Sequence, residues 1–251
     1  MGIPNQSLPQ LVHCCGSMNP FFHLFLPEHC VACGAYVPFP SLFPLCKECQ
    51  GRISFLRERF CVRCGRVVPH GGVLLCHMCR RVTYHFTYAR AVSAYVSPIR
   101  EAILAFKYQG VVSLAAFLGA LLVAYCEEFP FLKEVDFVLP VPLHPAREWE
   151  RGFNQALLLA NVVGKAFRLP VLARGVSRVK PTLPQAGLKT KERWKNVEQA
   201  FRVTAQSAFA GKRVLVVDDV LTSRATAESL SRVLLEAGCS CVFVLAVASG
   251  R

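Results

Sequence analysis

The stretch Val214-Leu-Val-Val-Asp-Asp-Val-Leu-Thr-Ser-Arg-Ala-Thr226 decides how the second half of this sequence folds. It opens with a continuous apolar run, which is typical of a parallel strand covered on both faces. Two acids follow, and three hydroxyl side chains within five residues then lead into a helical pattern. Backbone N–H groups at a helix start, with hydroxyls beside them, form a cradle for phosphate. Because carboxylates repel phosphate, Asp218 and Asp219 are predicted to hold ribose hydroxyls or a Mg²⁺-bridged diphosphate instead.

The sequence around this stretch alternates between strand and helix patterns. Strands are predicted at 91–96, 135–139, 171–174, 213–217 and 241–247. Helices are predicted from 97 onward, over 113–127, from 154 to 167 and from 225 to 236, and a proline-rich turn is predicted after the strand 135–139. The basic, proline-broken residues 177–196 are predicted to form a long mobile loop. This alternation indicates an α/β fold with a parallel sheet, whose ligands bind at the carboxyl ends of the strands.

Four Cys-x-x-Cys pairs precede this α/β pattern. Their members are Cys30, Cys33, Cys46, Cys49, Cys61, Cys64, Cys76 and Cys79. Each pair aims two thiolates at one point, and two pairs complete the four-sulfur shell that Zn²⁺ prefers at structural sites. Iron–sulfur ligation is the alternative, which repeated pairs disfavour. We expect the first pair to join the second and the third to join the fourth, although the spacing also permits interleaving.

The chain shows neither an export signal nor a membrane span. No lysine or arginine precedes Lys47, so the positive segment of a secretory signal is lacking. In a reducing cytoplasm, paired cysteines more often hold metal than disulfides. The mean hydropathy of +0.36 is high, but the longest uncharged apolar stretch, 111–126, is shorter than the roughly 20 residues of a bilayer span. We therefore expect a cytoplasmic protein.

The charge is large and concentrated. The sequence has 29 basic and 16 acidic residues, and between 151 and 196 ten lysines and arginines face only Glu192. Such a field suits a polyanionic partner, either a phosphorylated small molecule or nucleic acid. The alternative is a solvated basic face that keeps the protein soluble.

Several stretches resemble known families. The 214–226 stretch resembles the 5-phosphoribosyl-1-diphosphate (PRPP) loop of type I phosphoribosyltransferases. Val138-Leu-Pro-Val-Pro-Leu-His-Pro-Ala-Arg147, Arg151-Gly-Phe-Asn-Gln155 and Phe106-Lys107-Tyr108 are similar to motifs of the ComF/GntX family. The cysteine pairs belong to the same pattern. In this family a double zinc ribbon precedes a phosphoribosyltransferase-like domain, and members are associated with DNA uptake and natural transformation.

The resemblance implies a role for each motif. Asp218 and Asp219 would hold the ribose, with Mg²⁺ on the diphosphate. The residues that would wrap the 5′-phosphate are Val220, Leu221, Thr222, Ser223, Arg224, Ala225 and Thr226. Those assigned to the diphosphate loop and its basic surroundings are Pro142, Arg147, Arg151 and Lys107. A flexible flap would carry Gln185, Arg193 and Asn196.

Arg224 departs from the family pattern, which has glycine at this position. A glycine would serve either a positive φ or a close approach of the backbone to phosphate. Because residue 224 lies at the entrance to a helix, we expect right-handed geometry, with the arginine side chain in solvent or along the phosphate. The rival hypothesis is that the arginine plugs the phosphate pocket.

Together these features predict three segments. Residues 1–29 are an apolar segment without an assigned role, 30–85 a double zinc ribbon and 86–251 a phosphoribosyltransferase-like domain. The predicted function is binding of PRPP or a related ligand with Mg²⁺, and transfer of its phosphoribosyl group to an acceptor that the sequence does not name. The alternative is a non-catalytic competence factor with the same fold, which binds single-stranded DNA or takes part in DNA processing. Proteins of the competence machinery are further candidate partners.

We predict two zinc ions per chain, because eight cysteines in four pairs complete two tetrahedral shells. Metal analysis of protein purified without chelator should show this ratio. A single zinc ion, or the absorption spectrum of an iron–sulfur cluster, would contradict the assignment.

Overall fold

The computed structural model describes residues 29–37, 43–57, 60–68, 74–128, 134–181 and 190–250, and the side chains of these except 190, 191 and 193. Residues 1–28 of the predicted N-terminal segment 1–29, and Gln185, lie outside the described residues. The predicted α/β fold with a parallel sheet is confirmed.

A four-stranded parallel sheet forms the centre of the protein. Its strands are β1 (Tyr88–Ala94), β2 (Phe137–Pro140), β5 (Arg213–Leu221) and β6 (Cys241–Ser249), in the order β1-β6-β5-β2. A separate antiparallel pair joins β3 (Val176–Arg178) to β4 (Phe201–Val203). The apolar β5 lies inside the sheet, between β6 and β2, as its unbroken Val-Leu-Val-Val run predicts.

Helices cover both faces of this sheet. They are α1 (Lys47–Gly51), α2 (His77–Arg81), α3 (Ile99–Tyr108), α4 (Leu114–Glu127), α5 (Pro145–Arg151), α6 (Gln155–Phe167), α7 (Thr190–Val197) and α8 (Ala225–Glu236). On one face Leu118 of α4 and Leu159 of α6 are buried in the same core as Leu215. On the other face Leu230 of α8 shares a core with Val216. No helix within the described ranges has the length and apolar character needed to cross a bilayer.

The two cysteine sets pack on opposite faces of the sheet. The first set, with Cys30 and Cys49, belongs to the core that contains α4. The second set, with Cys61 and Cys79, belongs to the core that contains α8. A module of this size cannot build a core of its own, so each set completes its apolar surroundings by packing on the larger domain.

The chain between the two sets runs along the exposed edge of β1. Ala94 donates its backbone N–H to Ser54 at 2.8 Å, and Leu56 donates to Val92 at 2.9 Å. These bonds satisfy backbone groups that an edge strand would otherwise present to other chains.

Gly65 allows the second cysteine set to approach β1 closely. Its φ is +64°, and a Cβ at this position would lie 2.4 Å from the carbonyl oxygen of Ala89. The same approach lets Ala89 donate its N–H to the carbonyl of Arg63 at 2.8 Å. Only glycine satisfies both the backbone conformation and the lack of space.

Three element predictions were wrong. The predicted strand 171–174 is reduced to a single bridge between Val171 and Val138, and the strand lies later, at β3. The predicted loop 177–196 ends in the helix α7. The proline-rich turn after β2 contains the helix α5, because Pro145 fits a first helical position and His144 caps it by accepting a hydrogen bond from the N–H of Ala146.

Replacing Gly65 with alanine should destabilise the folded protein by about 2–5 kcal/mol. The estimate combines left-handed strain of about 1–2 kcal/mol with an overpacking cost of about 1–3 kcal/mol. Urea denaturation of the zinc-loaded protein measures the change.

Gly34 offers the matched control, since it follows the first cysteine pair of the other set. Its φ is +74°, but a Cβ there would meet nothing within 4 Å. Gly34→Ala should therefore cost only the strain, about 1–2 kcal/mol. Equal losses in the two variants would show that the contact with Ala89 does not matter.

Candidate functional site

The eight paired cysteines form two clusters. The first cluster consists of Cys30, Cys33, Cys46 and Cys49, and the second of Cys61, Cys64, Cys76 and Cys79. Within each cluster all four sulfur atoms lie within 4.8 Å of one another. The successive pairing of Cys-x-x-Cys motifs is therefore confirmed, and interleaving is excluded.

The sulfur spacing fits zinc. Cys33 and Cys46 place their Sγ atoms 3.7 Å apart, and Cys64 and Cys76 place theirs 3.6 Å apart. Tetrahedral zinc with Zn–S bonds of about 2.3 Å requires sulfur separations of about 3.8 Å. In the first cluster Arg52 also donates to the Sγ of Cys49 at 3.0 Å, which offsets part of the thiolate charge.

The two acids lie at the carboxyl end of β5 and face different partners. Asp219 is buried and its Oδ1 accepts an ion pair from Nζ of Lys107 at 2.7 Å. Asp218 accepts a hydrogen bond from the N–H of Asp219 at 2.8 Å and lies in the field of Arg178. β5 itself continues through Leu221, beyond the predicted end at 217, so the acids belong to the strand.

The pair of acids changes the ionisation of the site. Burial and the neighbouring charge of Asp219 raise the pKa of Asp218 to about 7, although Lys107 and Arg178 oppose the rise. Burial alone would lower the pKa of Lys107, but the charge of Asp219 outweighs it and holds that pKa above its ordinary value. Asp218 therefore changes charge near neutral pH, where it can donate or accept a hydrogen bond.

The Phe106-Lys107-Tyr108 and Arg151-Gly-Phe-Asn-Gln155 motifs meet beside these acids. Phe106 contacts Phe153, with ring centroids 5.6 Å apart. The guanidinium of Arg151 lies over the ring of Tyr108 at 5.4 Å and also donates to the side chain of Gln155. The two motifs thus place Lys107 and Arg151 at the same side of the site.

Asn154 fixes the start of α6 and the loop that follows β2. Its Oδ1 accepts hydrogen bonds from the N–H groups of Ala156 and Leu157, at 2.9 and 3.3 Å. Its Nδ2 donates to the carbonyl of Val141 at 3.1 Å. The asparagine is an N-cap that also holds the backbone next to Pro142, the predicted diphosphate loop.

Arg178 places a positive charge near Asp218, a role that no motif in the sequence predicts. It lies on β3, its guanidinium is 5.5 Å from the ring centroid of Phe201, and its charge acts on Asp218. Burial, and to a smaller extent the charge of Arg147, lower the pKa of Arg178. Only its membership of the basic 151–196 segment marked it in the sequence. Arg147 itself pairs with Glu150 at 2.9 Å.

The predicted phosphate loop, residues 222–226, connects β5 to α8. Ser223 is buried and its Oγ accepts a hydrogen bond from the N–H of Ala225 at 3.3 Å. Ala225 begins α8, so the first turn of this helix lies next to the loop, as the sequence predicts.

Arg224 differs from its prediction in both backbone and side chain. Its φ is +67°, in the left-handed region, and its side chain is buried at 1% exposure. The guanidinium donates to the backbone carbonyls of Cys64 and Thr222 and to the side chain of Ser249. The expected right-handed geometry was wrong, and the side chain lies neither in solvent nor free to follow a phosphate.

The predicted flap residues are only partly described. Gln185 lies outside the described residues, and Arg193 lies on α7 without a described side chain. Asn196 is partly buried near the end of α7.

Two residues hold α7 in place. The ring of Trp194 stacks on that of Tyr84, with centroids 6.1 Å apart, and the carbonyl of Val197 accepts a hydrogen bond from the hydroxyl of Ser229 on α8 at 2.7 Å. The end of the predicted flap is therefore a helix that packs on α8.

Comparison with known proteins agrees with the cysteine clusters. Residues 21–81 match the family described as a double zinc ribbon domain. Competence protein F of Haemophilus influenzae is 28% identical over 231 residues, which cover 90% of this chain and 91% of that protein. DNA utilization protein YhgH of Escherichia coli K12 is 28% identical over 203 residues, covering 80% and 88%. Competence protein ComFC of Bacillus subtilis is 27% identical over 202 residues, covering 77% and 79%.

A solved structure shows a weaker likeness. The allosteric regulatory enzyme of purine biosynthesis is 20% identical over the aligned part, with a TM-score of 0.36. The match covers 52% of this chain and 25% of that enzyme. The fold of this protein therefore rests on the strand order and helices described above.

Replacing Asp218 with asparagine should stabilise the ligand-free protein above neutral pH. The pKa of an aspartate in the unfolded chain is about 3.9, which is below the folded-state pKa of Asp218. Between about pH 4 and 7 the unfolded chain has therefore lost the proton that the folded protein still holds, and the free energy of unfolding falls as the pH rises. At pH 8 the variant should be more stable by up to about 4 kcal/mol, and the gain should shrink as the pH falls toward 5. Urea denaturation without Mg²⁺ at several pH values measures it.

Asp136 provides a control of opposite sign. Its carboxylate accepts hydrogen bonds from the N–H of Arg213 and from Lys212, and the bond from Arg213 is the main reason that its pKa lies below the ordinary value. Asp136→Asn should therefore reduce stability at pH 8. A gain in that variant, or no gain in Asp218→Asn, would contradict this account of the two acids.

Proposed function

We propose that this chain, which belongs to the ComF family, binds PRPP or a closely related phosphoribosyl ligand together with Mg²⁺. The observation that carries the proposal is the arrangement at the end of β5. Two acids there are followed directly by a hydroxyl-containing loop at the start of α8. Four basic side chains on other elements are connected to these acids, two by direct interaction with them and two through neighbouring residues. These are Lys107, Arg147, Arg151 and Arg178.

One carboxylate oxygen of Asp219 lacks a hydrogen-bond donor among the described residues, and a ribose hydroxyl or a hydrated metal ion would supply one. Its Oδ1 is paired with Lys107, but its buried Oδ2 has no hydrogen-bond partner among the described residues. A buried oxygen of this kind costs free energy until a donor reaches it. A ribose hydroxyl, or water carried by Mg²⁺, supplies such a donor, so the residues fit the proposed ligand.

Asp218 would complete the ribose-binding pair. With a pKa of about 7, it is partly protonated at neutral pH when no ligand is present. A nearby Mg²⁺ favours the charged form, so binding of a Mg²⁺-bearing ligand would release a proton from this carboxyl near neutral pH. Bound Mg²⁺ would supply positive charge to the diphosphate group.

The basic residues of the site suit the diphosphate and the 5′-phosphate. Arg147 and Arg178 lie close enough for the charge of one to depress the pKa of the other, and a dianionic group between them would relieve that repulsion. Arg151 is oriented by Tyr108 and Gln155. The N–H groups at the start of α8 and the hydroxyls of 222–226 would hold the 5′-phosphate.

The chemistry that such a site can perform is displacement of diphosphate from the anomeric carbon of the ribose. The arginines would stabilise the negative charge that develops on the leaving group, and no covalent nucleophile on the protein is needed. The predicted flap, with Arg193 and Lys195, would close over the site and exclude water during the reaction. The acceptor stays unassigned.

A second candidate is binding of single-stranded DNA. It is favoured by the relatives, which are named as competence and DNA utilization proteins. It is also favoured by the net charge of +13 and by two exposed aromatic side chains, Tyr108 at 65% and Trp149 at 76%, close to arginines on α5. Exposed aromatic side chains stack on bases while basic residues follow the backbone. Partners in the competence machinery would follow from this function.

Calorimetric titration with PRPP and Mg²⁺ tests the first candidate. Wild type should bind, and Asp218→Asn/Asp219→Asn should bind at least about tenfold more weakly, because each lost charge-assisted hydrogen bond is worth about 1.5–3 kcal/mol. Asp136→Asn is the matched control, since this acid lies at the amino end of β2, where its own N–H bonds to Arg213. It should leave the affinity unchanged.

The same calorimetric series separates the two candidates. A folded double variant with unchanged PRPP affinity would show that the acids do not hold the ligand. Absence of PRPP binding in wild type, together with salt-sensitive binding of a single-stranded oligonucleotide, would favour the second candidate.

A further inference from the structure

Arg224 is held in a conformation that an arginine ordinarily avoids. Its left-handed φ of +67° is strained for any residue with a Cβ, and its guanidinium is removed from water at 1% exposure. Such a residue persists only when its surroundings provide strong compensating contacts.

The contacts of Arg224 join three separate parts of the chain. Nε donates to the carbonyl oxygen of Cys64 at 3.2 Å, and Nη2 donates to Oγ of Ser249 at 2.8 Å. Nη1 donates to the carbonyls of Thr222 and Gly250. One side chain therefore links the second cluster, the phosphate loop and the end of β6.

The charge of Arg224 points to the same connection. The four hydrogen bonds of its guanidinium go to neutral oxygens, and a buried guanidinium needs an opposite charge nearby. Nε of Arg224 lies 3.2 Å from the carbonyl oxygen of Cys64, so the guanidinium is next to the second cluster. Four thiolates around one Zn²⁺ retain a net negative charge, so a zinc-loaded second cluster would act as the counterion of Arg224.

A second contact joins the same parts of the structure. Glu228, in the first turn of α8, accepts a hydrogen bond from the N–H of His85 at 2.8 Å and also contacts its ring. His85 follows α2, the helix that carries Cys79. The first cluster lies on the other face of the sheet, where Phe43 packs on Phe117 of α4 at 5.2 Å. It can therefore serve as an internal comparison.

We propose that Arg224 is a positioning residue that links the phosphate loop to the second cluster, so that zinc in this cluster and a phosphate-bearing ligand in the loop stabilise each other's binding. The proposal rests on the function proposed above, because it takes 222–226 to be the phosphate site. Coupling of this kind is reciprocal: a ligand that orders the loop retains the zinc, and zinc loss weakens the ligand.

Cysteine alkylation of the full-length protein tests the link directly. The zinc-loaded protein is treated with a chelator and N-ethylmaleimide, and peptide mass spectrometry follows the two clusters separately. In Arg224→Lys the second cluster should become alkylated at least about tenfold faster than in wild type. The first cluster should keep its wild-type rate. Lysine retains a charge but cannot reach three segments with a planar set of donors.

Two further variants sharpen the comparison. Arg232→Lys, on the partly exposed side of α8, makes the same chemical change and should leave both clusters at the wild-type rate. Ser249→Ala keeps Arg224 but removes the acceptor of Nη2, together with the hydrogen bond from Ser249 to the carbonyl of Gly250. It should therefore speed alkylation of the second cluster to a smaller extent. If Arg224→Lys does not fold, the alkylation rate of the second cluster in Ser249→Ala tests whether Arg224 links this cluster to the loop.

Addition of PRPP with Mg²⁺ tests the coupling. In wild type the ligand should slow alkylation of the second cluster, and in Arg224→Lys this protection should be lost. A general loss of stability would speed both clusters alike, and that result, or equal rates in Arg224→Lys and wild type, would overturn the link. If calorimetry shows that PRPP binds wild type but gives no protection, the coupling is wrong. If PRPP does not bind wild type at all, the proposed function fails, and the selective effect on the second cluster still decides whether the link exists.

Discussion

Two neighbouring carboxylates at the end of β5 repel each other, and the ammonium of Lys107 is the group that lets both be held there. Its ion pair with Asp219 is buried, so neither partner can be removed without leaving an uncompensated charge. The pair also ties the end of α3 to the central strand. Tyr108 and Arg151 are then positioned relative to that helix end, and Asn154 connects the same region to the loop after β2. The geometry of the site therefore follows from the need to neutralise Asp219.

The two small cysteine modules depend on the larger domain for their stability. Neither cluster has enough apolar residues to fold by itself, and each instead packs into one of the two cores beside the sheet. The 54–56 linker runs along β1 between them, so the clusters lie on opposite faces. Because the second cluster lies on the face of α8, it supports both the phosphate loop and α7 through Tyr84 and Arg224. The first cluster supports the face of α4.

The sequence predicted the elements whose patterns are local. The α8 prediction, 225–236, was confirmed because an apolar face and a glycine after the helix mark its ends. The cysteine pairing followed from sulfur chemistry and spacing. By contrast, β3 and α7 lie in a segment whose composition is dominated by charge, and their positions depend on contacts with Phe201, Tyr84 and α8 that no local pattern contains. The role of Arg178 was not predicted for the same reason, because it depends on the charge that the folded chain places near Asp218.

Arg224 shows why a single departure from a family pattern is difficult to interpret from sequence. A glycine at this position serves either a positive φ or a close approach to phosphate, and the entrance to a helix also permits unstrained right-handed geometry. The structure keeps the left-handed conformation, at a strain of about 1–2 kcal/mol, and balances it with hydrogen bonds to groups that are 160 residues away in one case and 25 or 26 in others. A glycine would adopt this backbone freely but would contribute none of these bonds. The loop can therefore keep its shape with either residue, whereas only the arginine connects that shape to the second cluster.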